Sequence, residues 1–216
     1  MDKKTVLERI TSTGLIPVIR AQSADEAAAV VDAIQAGGLS VLEITMTVPN
    51  AVQLIADVVR RAPGALVGAG TVLDPETARA CIAAGARFVV SPALNLDTIA
   101  ACREAGVAVL PGALTPTEIL SAWRAGADLV KVFPANAVGG PSYIKSLKAP
   151  LPQIGLVPTG GVSLTTATQF IQAGAAALGV GADLVDLAAL RRGETGLITE
   201  RARQFLALVK EARAGA

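Results

Sequence analysis

The chain has 216 residues, of which 52% are hydrophobic, 3% are aromatic and none is histidine, and its net charge is +1. Without histidine, the chain cannot form a Ser-His-Asp triad, a Cys-His pair or a histidine-ligated zinc or iron site. The small net charge and the few aromatic side chains argue against binding to nucleic acid or to an anionic membrane surface.

The N-terminal part of the chain predicts a helix over residues 3–13. Glu8 and Arg9 within it interrupt any apolar core of a signal peptide. The longest run of apolar or small residues, 173–182, is far shorter than the ~18 residues that a membrane span needs. We therefore expect a cytoplasmic protein with no membrane segment.

Eight short apolar runs follow, most of them rich in β-branched residues and bounded by Gly or Pro. Runs of this kind are typical of parallel strands that are buried on both faces. In chain order they are residues 15–19, 40–44, 65–70, 87–90, 107–110, 127–132, 154–158 and 176–180.

Helical segments with clear start signals separate these runs. Ser23 with Glu26, Asp74-Pro75, and Thr115-Pro116 with Glu118 each have the spacing of a helix N-terminus. Strand and helix alternate roughly every 20–30 residues, the length of one βα unit. We predict one domain over 1–216, a (β/α)8 TIM barrel with an extra N-terminal helix and a long C-terminal helix at 198–213. This last helix has an apolar stripe along one face, formed by Ile198, Ala202, Phe205, Val209 and Ala212. A doubly wound open sheet is the alternative, which the lack of an opening Gly-x-Gly-x-x-Gly disfavours.

The sharpest chemical signal is Lys131, which lies between Val130 and Val132 in the sixth predicted strand. Chemistry in such barrels occurs at the carboxyl ends of the strands. Burial disfavours the charged ammonium, and a neutral amine attacks a ketone to form a Schiff base. The alternative is a lysine that reaches solvent or pairs with a carboxylate.

Glu43 lies in a second apolar strand, and a buried carboxyl with a raised pKa can move protons near neutrality. The alternative is a simple ion pair with a cation on a neighbouring strand. Arg20 ends the first strand, where it could bind a substrate carboxylate in bidentate fashion or be an ordinary surface group. Thr71 follows Gly68-Ala69-Gly70, and its hydroxyl could hydrogen-bond the same carboxylate.

The last two strands end in glycine-rich turns that predict a phosphate site. Thr159-Gly160-Gly161 ends the seventh strand, and Gly179-Val180-Gly181-Ala182 ends the eighth before a predicted short helix at 183–185. Barrels bind phosphate through these two loops and a helix N-terminus, by backbone N–H groups. Plain turn glycines are the alternative.

Several short sequence motifs, spread over nearly the whole chain, together resemble those of a known family. They are Pro17-Val18-Ile19-Arg20, Leu42-Glu43-Ile44-Thr45, Val67-Gly68-Ala69-Gly70-Thr71, Val90-Ser91-Pro92, Leu110-Pro111-Gly112, Val130-Lys131-Val132-Phe133-Pro134 and Pro158-Thr159-Gly160-Gly161-Val162. On these residues the chain resembles the 2-keto-3-deoxy-6-phosphogluconate (KDPG) and 4-hydroxy-2-oxoglutarate (KHG) aldolases, which are class I lyases.

The resemblance implies a Schiff-base aldolase that needs no metal or cofactor and is a homotrimer. It implies Lys131 as the Schiff-base lysine and Glu43 as the group that moves protons. It also implies the following contacts with the substrate: Thr71 to the carboxylate, Pro92 and Phe133 to the pocket wall, Thr159 to the hydroxyls, and Gly160, Gly161 and Gly181 to the phosphate.

Two departures from the family pattern bear on the substrate. Thr47 stands where many members carry an arginine, so we expect Arg20 to bind the carboxylate instead, as in a branch that acts on the galactonate epimer. Ala182 replaces a serine of the last phosphate loop, while Thr159 favours the gluconate epimer. A 4-hydroxy-2-oxoglutarate or 6-phosphogalactonate-type aldolase, another phosphate-binding barrel enzyme and a non-catalytic scaffold of the same fold remain as alternatives.

Overall fold

The computed structural model describes residues 1–215 as short strands that alternate with helices. The strands are β1 (Leu15–Ile19), β2 (Val41–Thr45), β3 (Leu66–Gly70), β4 (Phe88–Val90), β5 (Ala108–Leu110), β6 (Gly112–Ala113), β7 (Val130–Val132), β8 (Leu156–Pro158) and β9 (Leu178–Val180). Each of the eight predicted strands is found, and the prediction did not include β6. Pro111 separates β5 from β6, since a proline has no N–H for the ladder.

The helices begin at the predicted signals. They are α1 (Lys3–Thr13), α2 (Ala24–Ala36), α3 (Ala51–Arg61), α4 (Pro75–Ala83), α5 (Leu96–Glu104), α6 (Pro116–Arg124), α7 (Pro141–Lys148), α8 (Ala167–Gln172), α9 (Leu187–Arg191) and α10 (Thr195–Ala214), with a 3-10 helix at Ala135–Val138. The side chains of Ser23, Asp74 and Thr115 accept hydrogen bonds from the first turns of α2, α4 and α6.

Two helix predictions need correction. The short helix expected at 183–185 is a turn, and the helix begins four residues later at Leu187, where Asp186 caps it through the Ala189 amide. The C-terminal helix α10 begins at Thr195, before the predicted start, because its apolar stripe does not mark its first turn.

All strand pairs are parallel. Within residues 1–215 the strands form a six-stranded sheet in the order β5-β4-β3-β2-β1-β9 and a three-stranded sheet in the order β6-β7-β8. The sheets meet at Pro111, whose carbonyl accepts the Lys131 amide at 2.9 Å, and at a parallel bridge between Thr159 and Gly179. The first strand pairs with the last, and strand order does not reverse as it does in a doubly wound sheet. The fold is therefore α/β with parallel strands arranged in chain order.

One buried apolar cluster fills the inner side of the sheets, from the first residues of β2 and β3 to the last residues of β4 and β5. It contains Ile16, Val41, Leu66, Phe88, Val90, Ala108, Leu110, Leu129, Val157 and Ala177, together with Val6 and Ile10 of α1. Helix α1, which the sequence predicts, thus packs against this cluster. Between strands and surrounding helices lies a second, larger cluster, which includes the predicted inner face of α10.

Helix α10 is also fixed to the start of the chain. The Arg213 guanidinium donates hydrogen bonds to the carbonyls of Thr11, Ser12 and Ala176 at 2.6–3.0 Å, and so satisfies carbonyls at the end of α1. No helix within residues 1–215 combines the length and the apolar character that a bilayer span requires.

Candidate active site

A layer of polar side chains lies directly above the apolar interior, toward the carboxyl ends of the strands. Side chains on one face of a strand recur every second residue. Glu43 therefore follows Val41 on the inner face, and Lys131 follows Leu129 in the same way. Thr159 follows Val157. All three are buried, with exposed fractions of 2%, 3% and 6%. The strands thus place the predicted catalytic and hydroxyl-binding groups in one interior layer.

Lys131 is held inside the fold on β7, in register with Gly112 of β6 and Val157 of β8. Its Nζ lies 5.3 Å from the centroid of the Phe133 ring, within the range of a cation–π contact. Among the ion pairs formed within residues 1–215, none involves Lys131. The amine is therefore neither extended into solvent nor neutralised by a carboxylate in direct contact.

The Glu43 carboxyl is buried and its Oε1 has no hydrogen-bond partner within residues 1–215. Burial raises the pKa of this carboxyl, because the charged form loses its hydration, while the nearby charges of Lys131 and Arg20 act in the opposite direction. The net shift is upward. A carboxyl of this kind can hold a proton at a pH where an exposed glutamate has lost it, which is the property a proton donor needs.

Beside this layer lies a cavity of about 190 Å³. Six predicted residues line it: Arg20, Phe133, Thr159, Gly160, Gly161 and Gly181. The same cavity also touches Ala182 and Asp183. Gly160 and Gly161 have positive φ values of 95° and 73°, a conformation that favours glycine. The predicted phosphate-loop residues are therefore brought together with a guanidinium and a hydroxyl.

Comparison with known proteins identifies the family. Residues 6–201 match the family described as KDPG and KHG aldolase. The chain belongs to this aldolase family. Among its relatives is the 2-dehydro-3-deoxy-6-phosphogalactonate aldolase of Escherichia coli K12, which is 38% identical over 205 residues, covering 94% of this chain and 96% of the relative.

Two solved structures have folds similar to that of this chain, and the first of them is an aldolase of the same family. A KDPG aldolase from Legionella pneumophila, with pyruvate captured as a covalent carbinolamine, has a TM-score of 0.85 and 30% identity, and the match covers 92% of this chain and 96% of that one. A cube-shaped cage, designed by fusing symmetric oligomeric domains, has a TM-score of 0.85 and 35% identity over 94% of this chain and 74% of that one.

In this aldolase the remaining predicted residues, Thr71 and Pro92, lie at the ends of β3 and β4, outside the lining of the 190 Å³ cavity. Thr71 has a φ of 57°, a strained value for a β-branched residue. Strain of this kind persists where the surroundings impose it, often at ligand-binding positions. The Pro92 carbonyl packs against Gly112, which is the β6 partner of Lys131. Thr71 and Pro92 thus follow β3 and β4, whereas the glycine turns of the cavity follow β8 and β9.

Glycines on neighbouring strands make room for two of the buried polar groups. A Cβ on Gly70 would collide with the Glu43 carboxyl, and a Cβ on Gly179 would collide with the Thr159 hydroxyl. Protein interiors are closely packed, so the lack of a side chain at each glycine is what leaves room for the polar group beside it.

Gly70→Ala is expected to displace the Glu43 carboxyl and to lower both kcat and stability, the latter by about 1–3 kcal/mol as for other overpacked cores. Gly64→Ala is the matched control, since a Cβ on Gly64 meets nothing within 4 Å. Thermal unfolding and steady-state kinetics on both variants check this. An unchanged kcat in Gly70→Ala would mean that the Glu43 position does not depend on this contact.

Sequence reasoning missed one feature of the site. Asp183 brings a carboxylate to the edge of the glycine cavity, directly after Gly181-Ala182, and no pattern in the sequence predicted that it would face this cavity. Thr45 is a polar residue at the end of β2, and it is fully buried two residues after Glu43 on the same face of the strand. Residues 1–215 contain no group of three or more Cys, Asp or Glu side chains arranged to hold a metal ion.

Proposed function

We propose that this member of the KDPG and KHG aldolase family cleaves 2-keto-3-deoxy-6-phosphogluconate to pyruvate and glyceraldehyde 3-phosphate through a Schiff base on Lys131. The observation that carries the proposal is the position of Lys131. Its amine is buried on the inner face of the strands, free of any ion pair within residues 1–215, and shares a layer with a carboxyl whose pKa is raised. The covalent carbinolamine with pyruvate in the Legionella relative supports the same chemistry.

The reaction begins when the neutral Lys131 amine attacks the C2 ketone of the substrate. The carbinolamine loses water and becomes an iminium ion, which then acts as an electron sink. The C4 hydroxyl loses its proton, the C3–C4 bond breaks, and its electron pair moves into the iminium to form an enamine. Glyceraldehyde 3-phosphate leaves. The enamine takes a proton at C3, and addition of water frees pyruvate and restores the amine.

Glu43 is the group that moves these protons in the proposal, directly or through one water molecule. Its raised pKa supports this role, because a carboxyl that titrates closer to neutrality can both accept and return a proton during one cycle. The low polarity around Glu43 also strengthens its interaction with the positive iminium on Lys131. A cation formed on Lys131 therefore favours ionised Glu43, and the enamine favours the protonated form.

The rest of the substrate is held by groups on both sides of this layer. We assign the carboxylate to Thr71 and Arg20, the hydroxyls to Thr159, and the phosphate to the backbone of Gly160, Gly161 and Gly181. Pro92 and Phe133 form the apolar wall against the pyruvyl part. The positive φ values at Gly160 and Gly161 support the phosphate assignment, since they allow consecutive backbone N–H groups to face an anion.

Two other substrates fit the same chemistry. The 6-phosphogalactonate epimer is favoured by the 38% identity to the Escherichia coli galactonate-type aldolase and by Arg20, which stands at the end of β1 while Thr47 occupies the place of the usual arginine. Cleavage of 4-hydroxy-2-oxoglutarate is favoured by the family description, which names the KHG aldolases beside the KDPG aldolases.

We further propose a single (β/α)8 barrel over 1–216 that acts as a cytoplasmic homotrimer. The pairing of β1 with β9, the Thr159–Gly179 bridge and the continuity from β5 to β6 at Pro111 support closure of the two sheets into one barrel. The likeness to a domain used in a cage of symmetric oligomers supports an oligomer. Light scattering of the purified protein, with three chain masses expected, tests the trimer.

The function is tested by measuring kcat/KM for pyruvate release from the two phosphorylated epimers and from 4-hydroxy-2-oxoglutarate on one preparation. In parallel, the protein is treated with pyruvate and sodium borohydride, and intact mass and peptide mapping locate the reduced adduct. We expect turnover and an adduct on Lys131. A missing adduct, or an adduct on a lysine other than Lys131, would contradict the Schiff-base mechanism and favour another phosphate-binding barrel enzyme. No turnover of any of the three substrates would favour a scaffold without catalytic activity.

A further inference from the structure

Two threonine hydroxyls form a short hydrogen-bonded chain at the end of β2. The Thr45 Oγ1 lies 2.9 Å from the Ile19 carbonyl oxygen and 2.6 Å from the Thr47 Oγ1. A carbonyl oxygen can only accept, so the single Thr45 proton is donated to Ile19. Thr47 must therefore donate to Thr45. Both donors are thereby fixed: the hydroxyl of the exposed Thr47 donates to the buried Thr45 hydroxyl, and the Thr45 hydroxyl donates to the Ile19 carbonyl, which precedes Arg20.

These two hydroxyl hydrogen bonds lie directly after the last backbone hydrogen bonds between β1 and β2. The last paired residues of the two strands are Ile19 and Ile44. One residue further, the Thr45 side chain supplies the donor that a backbone N–H supplies within the ladder. The Ile19 carbonyl belongs to the peptide plane that leads into Arg20, and this plane has little freedom once its carbonyl is bound. The end of β1 therefore stays ordered up to the residue that carries the guanidinium.

Arg20 itself has no partner of this kind. Among the ion pairs within residues 1–215, none involves Arg20. Its side chain is exposed and lines the 190 Å³ cavity. Its positive charge acts to lower the pKa of Glu43. A long side chain without a partner loses conformational entropy when it binds a ligand. An ordered backbone beneath it reduces the number of positions that the guanidinium samples.

We infer that Thr45 and Thr47 are positioning residues that hold Arg20 for an oxyanion of the substrate, either its carboxylate or its phosphate. The inference rests on the proposed aldolase function for the substrate's identity, but the hydrogen-bond direction and the place of Arg20 do not depend on it. It also gives Thr47 a role: its hydroxyl supports the arginine that follows β1, at a position where many family members carry an arginine of their own.

The test replaces the Thr45 hydroxyl with a methyl group of similar size. Thr45→Val, Thr45→Ser, Arg20→Met and the double variant Arg20→Met/Thr45→Val are compared with wild type. Thr98→Val is the matched control, because Thr98 is equally buried and its hydroxyl has no partner within residues 1–215. The readouts are kcat, KM and the calorimetric dissociation constants of pyruvate and of inorganic phosphate.

We expect Thr45→Val to weaken binding of one of the two anions about 3- to 10-fold, the range that one net hydrogen bond corresponds to, and to raise KM more than it lowers kcat. Thr45→Ser should restore wild-type values, and Thr98→Val should not differ from wild type. In the Arg20→Met background the Thr45 substitution should have no further effect on binding, because the positioned group is gone.

The affected probe identifies the oxyanion: pyruvate for the carboxylate, inorganic phosphate for the phosphate. Unchanged affinity for both anions in Thr45→Val, or an equal loss in the presence and absence of Arg20, would overturn the inference. The proposed function fails separately, when wild type releases no pyruvate from any of the three substrates. In that case the anion affinities still decide whether Thr45 acts through Arg20.

Discussion

Replacing Lys131 with methionine is expected to lower kcat for aldol cleavage at least about 1000-fold while leaving the fold intact, as for other enzymes that lose their nucleophile. Methionine keeps the unbranched shape but has no amine to attack the C2 ketone, so neither the carbinolamine nor the iminium can form. The change also removes a polar amine from a side chain that is 3% exposed and lacks an ion pair within residues 1–215. Thermal stability should therefore be unchanged or higher.

Pyruvate-release kinetics, borohydride trapping and thermal unfolding on the same preparation check the Lys131 prediction. Lys145→Met serves as the control, since Lys145 is an exposed lysine on α7. Wild type and this control should both give the reduced pyruvate adduct, and Lys131→Met should give none. An adduct that persists in Lys131→Met would place the Schiff base on a different lysine and would end the proposed mechanism.

Replacing Glu43 with glutamine is expected to lower kcat about 100- to 1000-fold with a smaller change in KM, the usual size of a lost general acid–base group. The amide has nearly the shape of the carboxyl and still fits beside Gly70, but it cannot exchange a proton with C3 or with the C4 hydroxyl. Glu43→Gln should still form the borohydride adduct, because the Lys131 amine is present. The rate of proton exchange at pyruvate C3, followed by NMR in deuterated water, isolates the lost step.

The same substitution should change how stability depends on pH. Burial raises the pKa of Glu43 above its ordinary value of 4.5, so the folded protein holds this proton more tightly than the unfolded chain does. Between the pKa of Glu43 in the unfolded chain and its higher pKa in the folded protein, the free energy of unfolding falls as the pH rises. The reason is that the folded state must lose a proton that the unfolded state has already lost. Glu43→Gln has no such proton.

Glu43→Gln should therefore become more stable relative to wild type as the pH rises above about 4.5, with the difference levelling off once Glu43 is ionised in the folded protein. Thermal unfolding followed over a pH series measures it. Glu104→Gln, at an exposed position near the end of α5, is the control and should follow wild type throughout. If the stability of Glu43→Gln and that of wild type depended on pH in the same way, burial would not raise the pKa of this carboxyl.

Much of the fold could be predicted because its signals are local. The apolar strand runs, the caps at Ser23, Asp74 and Thr115 and the apolar stripe of α10 depend on residues a few positions apart, and each is found in the structure. Where local signals were weak the prediction was wrong: Asp183 and Leu184 form a turn before α9 begins, because Asp186 provides the stronger cap.

The candidate site divides in the same way. The interior positions of Lys131 and Glu43 follow from apolar neighbours and a two-residue period, so they could be predicted. The space for the Glu43 carboxyl could not be predicted, because it depends on Gly70, which is 27 positions away in the sequence and lies on a neighbouring strand. The contact of Asp183 with the glycine cavity and the hydrogen bond from Thr45 to Ile19 likewise depend on how loops and strands meet.

By itself, then, the sequence determined the kind of chemistry open to this protein. A chain with no histidine but with a lysine and a glutamate in apolar strands points to covalent amine catalysis and away from a histidine-held metal. Only the tertiary structure decided that the two groups share one buried layer, that the carboxyl pKa rises, and that the Thr45 hydroxyl bonds the Ile19 carbonyl. The physical reason is that residue types fix what a side chain can do, whereas burial, charge and hydrogen bonding depend on neighbours that the fold brings from distant parts of the chain.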